Sequence, residues 1–238
     1  MSDLELNVKI CVPVPAKNLE EALEMIQSAE IDGADIIEIR FDYMDNLGML
    51  DNLDNLKRIV ERCSKPLIAT NRGIEQGGKC GLSDEQRLKT LIKAAKAGFK
   101  YVDIELTAKR LKETVNAAKG YGAKIIISLH DFKCTPSIQE MRKIFREQIK
   151  AGADICKIVT TANDVMDSIR CLTFTYEMSK KANLICFAMG ERGLLSRILS
   201  PLFGASFTYA SLGRGLETAP GQMTIRELRE IYRRLGVE

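Results

Sequence analysis

The chain has 238 residues, of which 45% are hydrophobic and 28% charged, with a net charge of +3. That composition suits one domain, residues 1–238, with a core of its own, and it excludes wholesale disorder. The 35 basic and 32 acidic residues are interleaved along the chain, which argues against a nucleic-acid partner, and no apolar run is long enough to cross a bilayer.

The acidic start Met1-Ser2-Asp3-Leu4-Glu5 lacks the basic and apolar regions of a signal peptide, so a cytoplasmic chain is expected. Residues 8–14 then read as a strand and 18–29 as a helix. Strand-like runs at 36–41, 66–71 and 101–106 alternate with helix-like runs at 51–62, 83–97 and 108–119. The pattern continues with strands at 124–130, 155–160, 184–188 and 206–210, and helices at 137–150, 163–180, 194–199 and 224–235. Eight strand–helix units in this length predict an α/β fold of the (β/α)8 TIM-barrel type as a single domain. The phrase Asp32-Gly33-Ala34-Asp35 returns as Ala151-Gly152-Ala153-Asp154, each time with glycine where a helix C-cap belongs. An open doubly wound sheet is the rival fold, but the first turn, 12–17, carries no glycine.

In a barrel, alternate strand residues point inward, and the C-terminal strand ends form the active site. Glu38 and Arg40 share one face of the second strand, and Arg72 closes the third. Asp103 and Glu105 share a face of the fourth, His130 ends the fifth, and Lys157 lies inside the sixth. A structural ion-pair network is the competing reading, and it suits Asp103 and Arg40. Five neighbouring strands aiming charge at one mouth are harder to explain so, because unpaired buried charge is costly.

Lys157 lies between isoleucine-rich neighbours, where burial and nearby arginines favour the neutral amine, a nucleophile toward carbonyls. The alternative is a lysine held charged by Glu105 or Glu38. His130 is the sole histidine. It is either a satisfied core residue or, beside an iminium, an acid–base group. Asp131 follows it directly and points the other way along the strand, so no Ser-His-Asp triad is read.

Residues 212–222 form the longest Gly/Pro-punctuated loop, suited to folding over the mouth, with Thr218 and Gln222 as donors to an anion. Gly213-Arg214-Gly215 is an alternative phosphate cradle, and a plain loop is a further reading. Counting Arg40, Arg72 and Arg197 against Glu38 and Glu105, with Lys157 neutral, the site has surplus positive charge. That points to an anionic small molecule, of the carboxylate kind that arginine grips. The seven cysteines are scattered without a CxxC pair, which predicts reduced thiols and no thiolate metal site.

At this point the chain resembles the type I 3-dehydroquinate dehydratases. The likeness rests on Glu38-Ile-Arg40-Phe-Asp42, Arg72 before Gly77-Gly78, Asp103-Ile-Glu105-Leu106 and Ser128-Leu-His130-Asp131-Phe132. It continues through Thr135-Pro136, Gly152-Ala-Asp154 leading to Lys157, Met189, Leu195-Ser-Arg197, Phe203-Gly204 and Ala219-Pro-Gly-Gln222. The resemblance implies that Lys157 forms an iminium at C3 of 3-dehydroquinate and His130 moves protons at C2 and C1. It implies that Arg197, helped by Gln222, binds the carboxylate, while Glu38, Arg40 and Arg72 hold ring hydroxyls and Thr218 is a further substrate-binding residue of the loop. Glu105 and Met189 are supporting residues. It implies no metal or organic cofactor, a place in the shikimate pathway, and a possible homodimer. Gln76 stands where many family members carry glutamate, and Thr218 where the lid motif has serine. A class I aldolase on the same barrel and a non-catalytic carboxylate-binding barrel are the alternatives.

Overall fold

A computed structural model describes residues 8–45, 52–79 and 81–237. Among them eight parallel strands lie in the order β7-β6-β5-β4-β3-β2-β1-β8. The strands are β1 (Ile10–Val14), β2 (Ile36–Arg40), β3 (Leu67–Thr70), β4 (Tyr101–Glu105), β5 (Lys124–His130), β6 (Ile155–Thr161), β7 (Leu184–Met189) and β8 (Thr208–Tyr209). Each is followed by a helix of the outer ring: α1 (Leu19–Ile31), α2 (Leu53–Arg62), α3 (Asp84–Ala97), α4 (Leu111–Gly120), α5 (Ile138–Lys150), α6 (Val165–Met178), α7 (Leu194–Leu199) and α8 (Ile225–Leu235). The expected (β/α)8 barrel is therefore the fold, and every expected unit is present. The start expected for α2, residue 51, and Cys80 lie outside the described residues.

The barrel is nearly closed. β8 has only two residues paired to β1, Thr208 with Ile10 and Tyr209 with Cys11. On its other side the backbone bridge to β7 is the hydrogen bond from Ser206 N–H to the Leu184 carbonyl, 2.8 Å.

Helix ends follow local chemistry. Ser83, Ser137, Asp164 and Thr224 form reciprocal capping boxes with Gln86, Glu140, Asp167 and Glu227, which satisfies N–H groups that have no partner inside the helix. The repeated Gly-Ala-Asp phrase has a physical reason. Gly33 and Gly152 adopt φ of 88° and 94°, a left-handed conformation that costs glycine little. The aspartate two positions later then turns to the neighbouring strand: Asp35 accepts from the Ile10 N–H and Asp154 from the Ile125 N–H.

Inside the barrel, strand alternation sorts residues by height. The lower inward positions are apolar: Ile36, Ile68, Ile126, Ile155, Ile185 and Phe207 pack in one buried cluster, with Tyr101 against it. One inward step higher stand Glu38, Thr70, Asp103, Ser128 and Lys157, all buried. The residues between them, such as Ile37, Ile39, Val102 and Ile104, face the helices and join the large outer core. The apolar floor closes the barrel below and leaves the polar layer facing the C-terminal mouth.

Candidate active site

That polar layer is tied together by hydrogen bonds. Asp103 is its centre: Oδ1 accepts from Ser128 Oγ at 2.5 Å, and Oδ2 lies 2.9 Å from both Arg72 and Lys157 Nζ. Burial opposes its ionisation, but Arg72 and Lys157 beside it, with hydrogen bonds from Arg72 and Ser128, hold its carboxyl well below the usual range. Arg72 also donates to Ser128 Oγ, 2.6 Å. Glu105 accepts from the Gly73 N–H and from Arg87 on α3, which is itself buried.

Lys157 sits at the base of this cluster. Its Nζ contacts Asp103, lies 3.7 Å from Glu38 Oε1, and hydrogen-bonds the Tyr209 hydroxyl at 2.9 Å. Of the isoleucines expected to surround it, Ile158 faces the helices and Ile155 lies one inward step below in the apolar floor, so the amine itself meets two carboxylates and a phenol. Of the two acidic partners weighed from the sequence, Glu38 is in place, while Glu105 is committed to Arg87 and the loop after β3.

His130 stands one inward step above Ser128 on β5, and Ser128 pairs with Lys157 in the sheet register. Its ring stacks on Phe132, and its backbone N–H donates to Gln76 Oε1 at 2.8 Å. Burial, followed by the positive charges of Arg72 and Lys157, pushes the imidazole well below its ordinary value despite Asp103. The ring is therefore neutral near pH 7, the form a general base requires. Asp131 accepts from the N–H groups of Lys133 and Cys134 in its own loop, so no triad forms.

A cavity opens over these groups. Its wall includes the polar groups of Lys157, His130, Glu38, Arg40, Arg72 and Gln76, together with Phe187, Met189, Arg197, Tyr209, Thr218 and Gln222. The structure thus brings together every expected site residue except Glu105, which acts from behind the wall. Several have fewer free groups than expected. Arg40 forks onto Asp42 through two hydrogen bonds, and Glu38 accepts from Thr70. Thr218 and Gln222 hydrogen-bond each other, so their donors are partly engaged within the loop. Arg214 pairs with Glu227 on the exposed surface and the Gly215 N–H donates to Glu217, so the phosphate cradle read at 213–215 is not formed.

Arg197 is different. It is buried, stacks over the Phe187 ring at 4.4 Å, and reaches one acceptor, the Pro220 carbonyl at 3.3 Å. Its Nε has no hydrogen-bond partner among the described residues. Burial pulls the guanidinium down to about 10. A buried cation without a carboxylate is a receptor for an anion.

Asp42, Tyr209, Arg87 and Phe187 were not singled out from the sequence. Cys11 and Tyr209 pair across β1 and β8, a register between distant segments that brings the phenol into the barrel and that local pattern does not reveal. Among the described residues, no group of three or more His, Cys, Asp or Glu is placed to hold a metal ion.

Comparison with known proteins matches residues 10–238 to the family model described as Type I 3-dehydroquinase. A 3-dehydroquinate dehydratase from Methanosarcina barkeri is 33% identical over 232 residues, 95% of this chain and 96% of that protein. Among solved structures, a 3-dehydroquinate dehydratase from Geobacillus kaustophilus superimposes with a TM-score of 0.90 at 24% identity, covering 97% of this chain and 91% of that one. A type I 3-dehydroquinate dehydratase from Clostridium difficile, solved with covalently modified comenic acid, gives 0.87 at 28% identity, covering 96% and 92%.

Two predictions come from these environments. The chain's single histidine has its pKa lowered by folding. As pH falls through about 6.5 the unfolded chain takes up a proton that the folded site refuses, so stability falls with pH. The slope is at most about 1.4 kcal/mol per pH unit between roughly pH 6.5 and 5. Denaturation midpoints across that window measure it, and His130→Asn should flatten it; equal slopes in both proteins would refute the assignment. For Arg197, removing an unpaired buried charge should stabilise the empty protein. Arg197→Met should gain about 1–3 kcal/mol, roughly 2–10 °C in Tm, and lose the further rise that a carboxylate ligand gives the parent. A lower Tm in the variant would count against an unpaired cation.

Proposed function

The chain belongs to the type I 3-dehydroquinase family, and from that premise we propose how its own residues dehydrate 3-dehydroquinate to 3-dehydroshikimate. The enzyme is a hydro-lyase of the shikimate pathway. The observation that carries the assignment of roles is the meeting of a buried lysine, a neutral imidazole and an unpaired arginine on one cavity.

Arg197 takes the substrate carboxylate, with Gln222 and Thr218 closing over it. Binding supplies the counter-ion that the empty site lacks. This anchors the ring so that its C3 ketone lies over Lys157. Once one ammonium proton has left, the Nζ lone pair forms a bond to C3 and the carbonyl oxygen departs as water after taking up protons. The resulting iminium withdraws electrons, which acidifies the C2–H bond. His130, neutral and above Lys157 in the barrel, takes that proton. The electron pair flows into the ring, the C1–O bond breaks, and the imidazolium returns the proton to the leaving hydroxyl as water. Hydrolysis of the C3 iminium frees the product and restores the amine. Arg72 and the Arg40–Asp42 fork orient ring hydroxyls, Glu38 balances the cation at Nζ, Glu105 braces the loop after β3, and Met189 packs against the ring. The electron sink is the iminium itself, so the reaction as proposed calls for no cofactor.

The aldolase reading is less well supported, because the 213–215 loop offers no phosphate site. A purely binding barrel would leave the lysine and histidine without a task. We also infer a cytoplasmic setting and a small-molecule partner rather than nucleic acid. The six described cysteines are all free thiols, and no described helix is long and apolar enough to cross a membrane.

A homodimer is part of this reading. Val165, Met166 and Ile169 on α6 and Leu195 on α7 are exposed, an apolar face suited to a second copy. Sedimentation at micromolar concentration should give a dimer, and Ile169→Glu a monomer; a monomeric parent protein would reject the inference.

For the chemistry, borohydride added with 3-dehydroquinate should inactivate the enzyme and leave a mass adduct on the peptide carrying Lys157. Lys157→Met should lose both activity and adduct. His130→Ala should still form the imine and stall at elimination, with a loss of at least about 10²–10⁴-fold in kcat. Normal turnover by His130→Ala, or an adduct on another lysine, would overturn the mechanism.

A further inference from the structure

Tyr209 lies against the reacting amine, and neither the sequence reading nor the mechanism above gives it a role. It occupies the second and last position of β8, is 4% exposed, and lines the cavity. Its hydroxyl is 2.9 Å from Lys157 Nζ, the same distance as the Asp103 carboxylate. Nζ is 4.4 Å from the ring centroid. The shorter distance to oxygen puts Nζ above the hydroxyl edge of the ring rather than over its centre, so the oxygen is the group in contact.

We propose that Tyr209 is a catalytic residue of this enzyme, whose phenolic oxygen, paired with Asp103, aims the Lys157 amine for attack. The proposal rests on Lys157 as the imine-forming residue. An amine nitrogen is tetrahedral. Two of its N–H bonds engaged by acceptors on different strands, Asp103 on β4 and Tyr209 on β8, stop rotation about the Cε–Nζ bond. The lone pair left by deprotonation then occupies the remaining position. With Asp103 alone, the nitrogen would rotate about a single hydrogen bond, and most orientations would miss the carbonyl carbon. Fixing a near-attack geometry is among the larger contributions available to an enzyme.

The phenol is suited to accept and unsuited to ionise. Burial, then the negative charge of Glu38, with Cys11 and Asp103 adding to it, pushes its proton affinity well above the ordinary value, against the pull of Arg72. It therefore keeps its proton throughout and takes no part in proton transfer. Its position is braced from three sides: Phe187 and Phe207 pack on the ring at 6.1 and 5.6 Å between centroids, and Cys11 is its backbone partner in β1. A hydroxyl on so immobile a ring has a fixed direction.

The test is Tyr209→Phe, which removes the oxygen and keeps the ring, its packing and the β8 pairing. The hydroxyl touches the amine, so substrate and product affinities should stay within about twofold. A hydrogen bond to a charged group is typically worth about ten- to a hundredfold, so kcat should fall by that factor. The rate at which borohydride captures the Lys157 imine should fall with it, because the defect lies in imine formation. Circular dichroism of the variant should match the parent, and its melting temperature should fall by about 3–10 °C, as the loss of one buried hydrogen bond to a charged group does. Wild-type capture rates in a folded Tyr209→Phe protein would overturn the proposal, and so would a variant that loses its fold, since the hydroxyl would then be structural. A KM increase with unchanged kcat would make it a binding group and overturn it as well. An adduct on a lysine other than Lys157 would instead refute the premise, and the two failures are read from different measurements.

Discussion

One carboxylate organises the interior of this barrel. Asp103 is buried between two cations from strands on either side, Arg72 at the end of β3 and Lys157 on β6, and it takes a third hydrogen bond from Ser128. A lone buried charge is expensive, and a pair is tolerable only when geometry and further hydrogen bonds are good. Asp103 meets that condition and in doing so fixes the two cations relative to each other. The position of the Lys157 amine and the reach of Arg72 follow from this arrangement, while His130 owes its low basicity first to burial and then to the charges of Arg72 and Lys157, against the pull of Asp103. Replacing Asp103 with an apolar residue would leave Arg72 with Glu105 at 3.6 Å and Lys157 with Glu38 at 3.7 Å as their nearest carboxylates.

The wider network is out of balance in one place. Around the cavity five buried cations, Arg40, Arg72, Arg87, Lys157 and Arg197, face four buried carboxylates, Glu38, Asp42, Asp103 and Glu105. Four of the cations have an acidic partner, and Arg197 has a ring and a carbonyl. Among these buried groups the deficit is one negative charge, and it sits at Arg197. An anionic group entering the cavity would complete the balance there.

The order of strands and helices was legible because each strand is a short apolar run between strong helix signals, and because the Gly-Ala-Asp phrase marks entries to strands. The charged wall was legible through parity: Glu38 and Arg40, or Asp103 and Glu105, stand two apart. What the chain order hides is partnership. Lys157 meets Asp103, 54 positions away, and Tyr209, 52 positions away; such contacts depend on register between strands, which local pattern does not reveal. Arg87 reads as a solvated helix residue, yet it turns inward to Glu105 and the Asn71 carbonyl. Tyr209 was hidden for a different reason. Phe207 and Tyr209 alternate with Ser206 and Thr208, but a parallel strand is covered on both faces, so the alternation does not say which set meets the cavity. The strand expected over 206–210 shrinks to Thr208–Tyr209 because regular pairing exists only toward β1.

The short β8 leaves a seam in the wall. Between β7 and β8 the sheet is crossed by a single backbone hydrogen bond, from Ser206 to Leu184, whereas β5 and β6 share a ladder of five residue pairs. Arg197, Thr218 and Gln222 belong to segments flanking this seam, and Lys157, His130 and Asp103 belong to the fully laddered wall. Backbone amides open most readily where ladder bonds are few. Hydrogen exchange should therefore divide the molecule into a slow arc carrying Lys157, His130 and Asp103 and a faster arc carrying Arg197, Thr218 and Gln222. One cavity is thus walled in part by backbone that opens rarely and in part by backbone that opens more often.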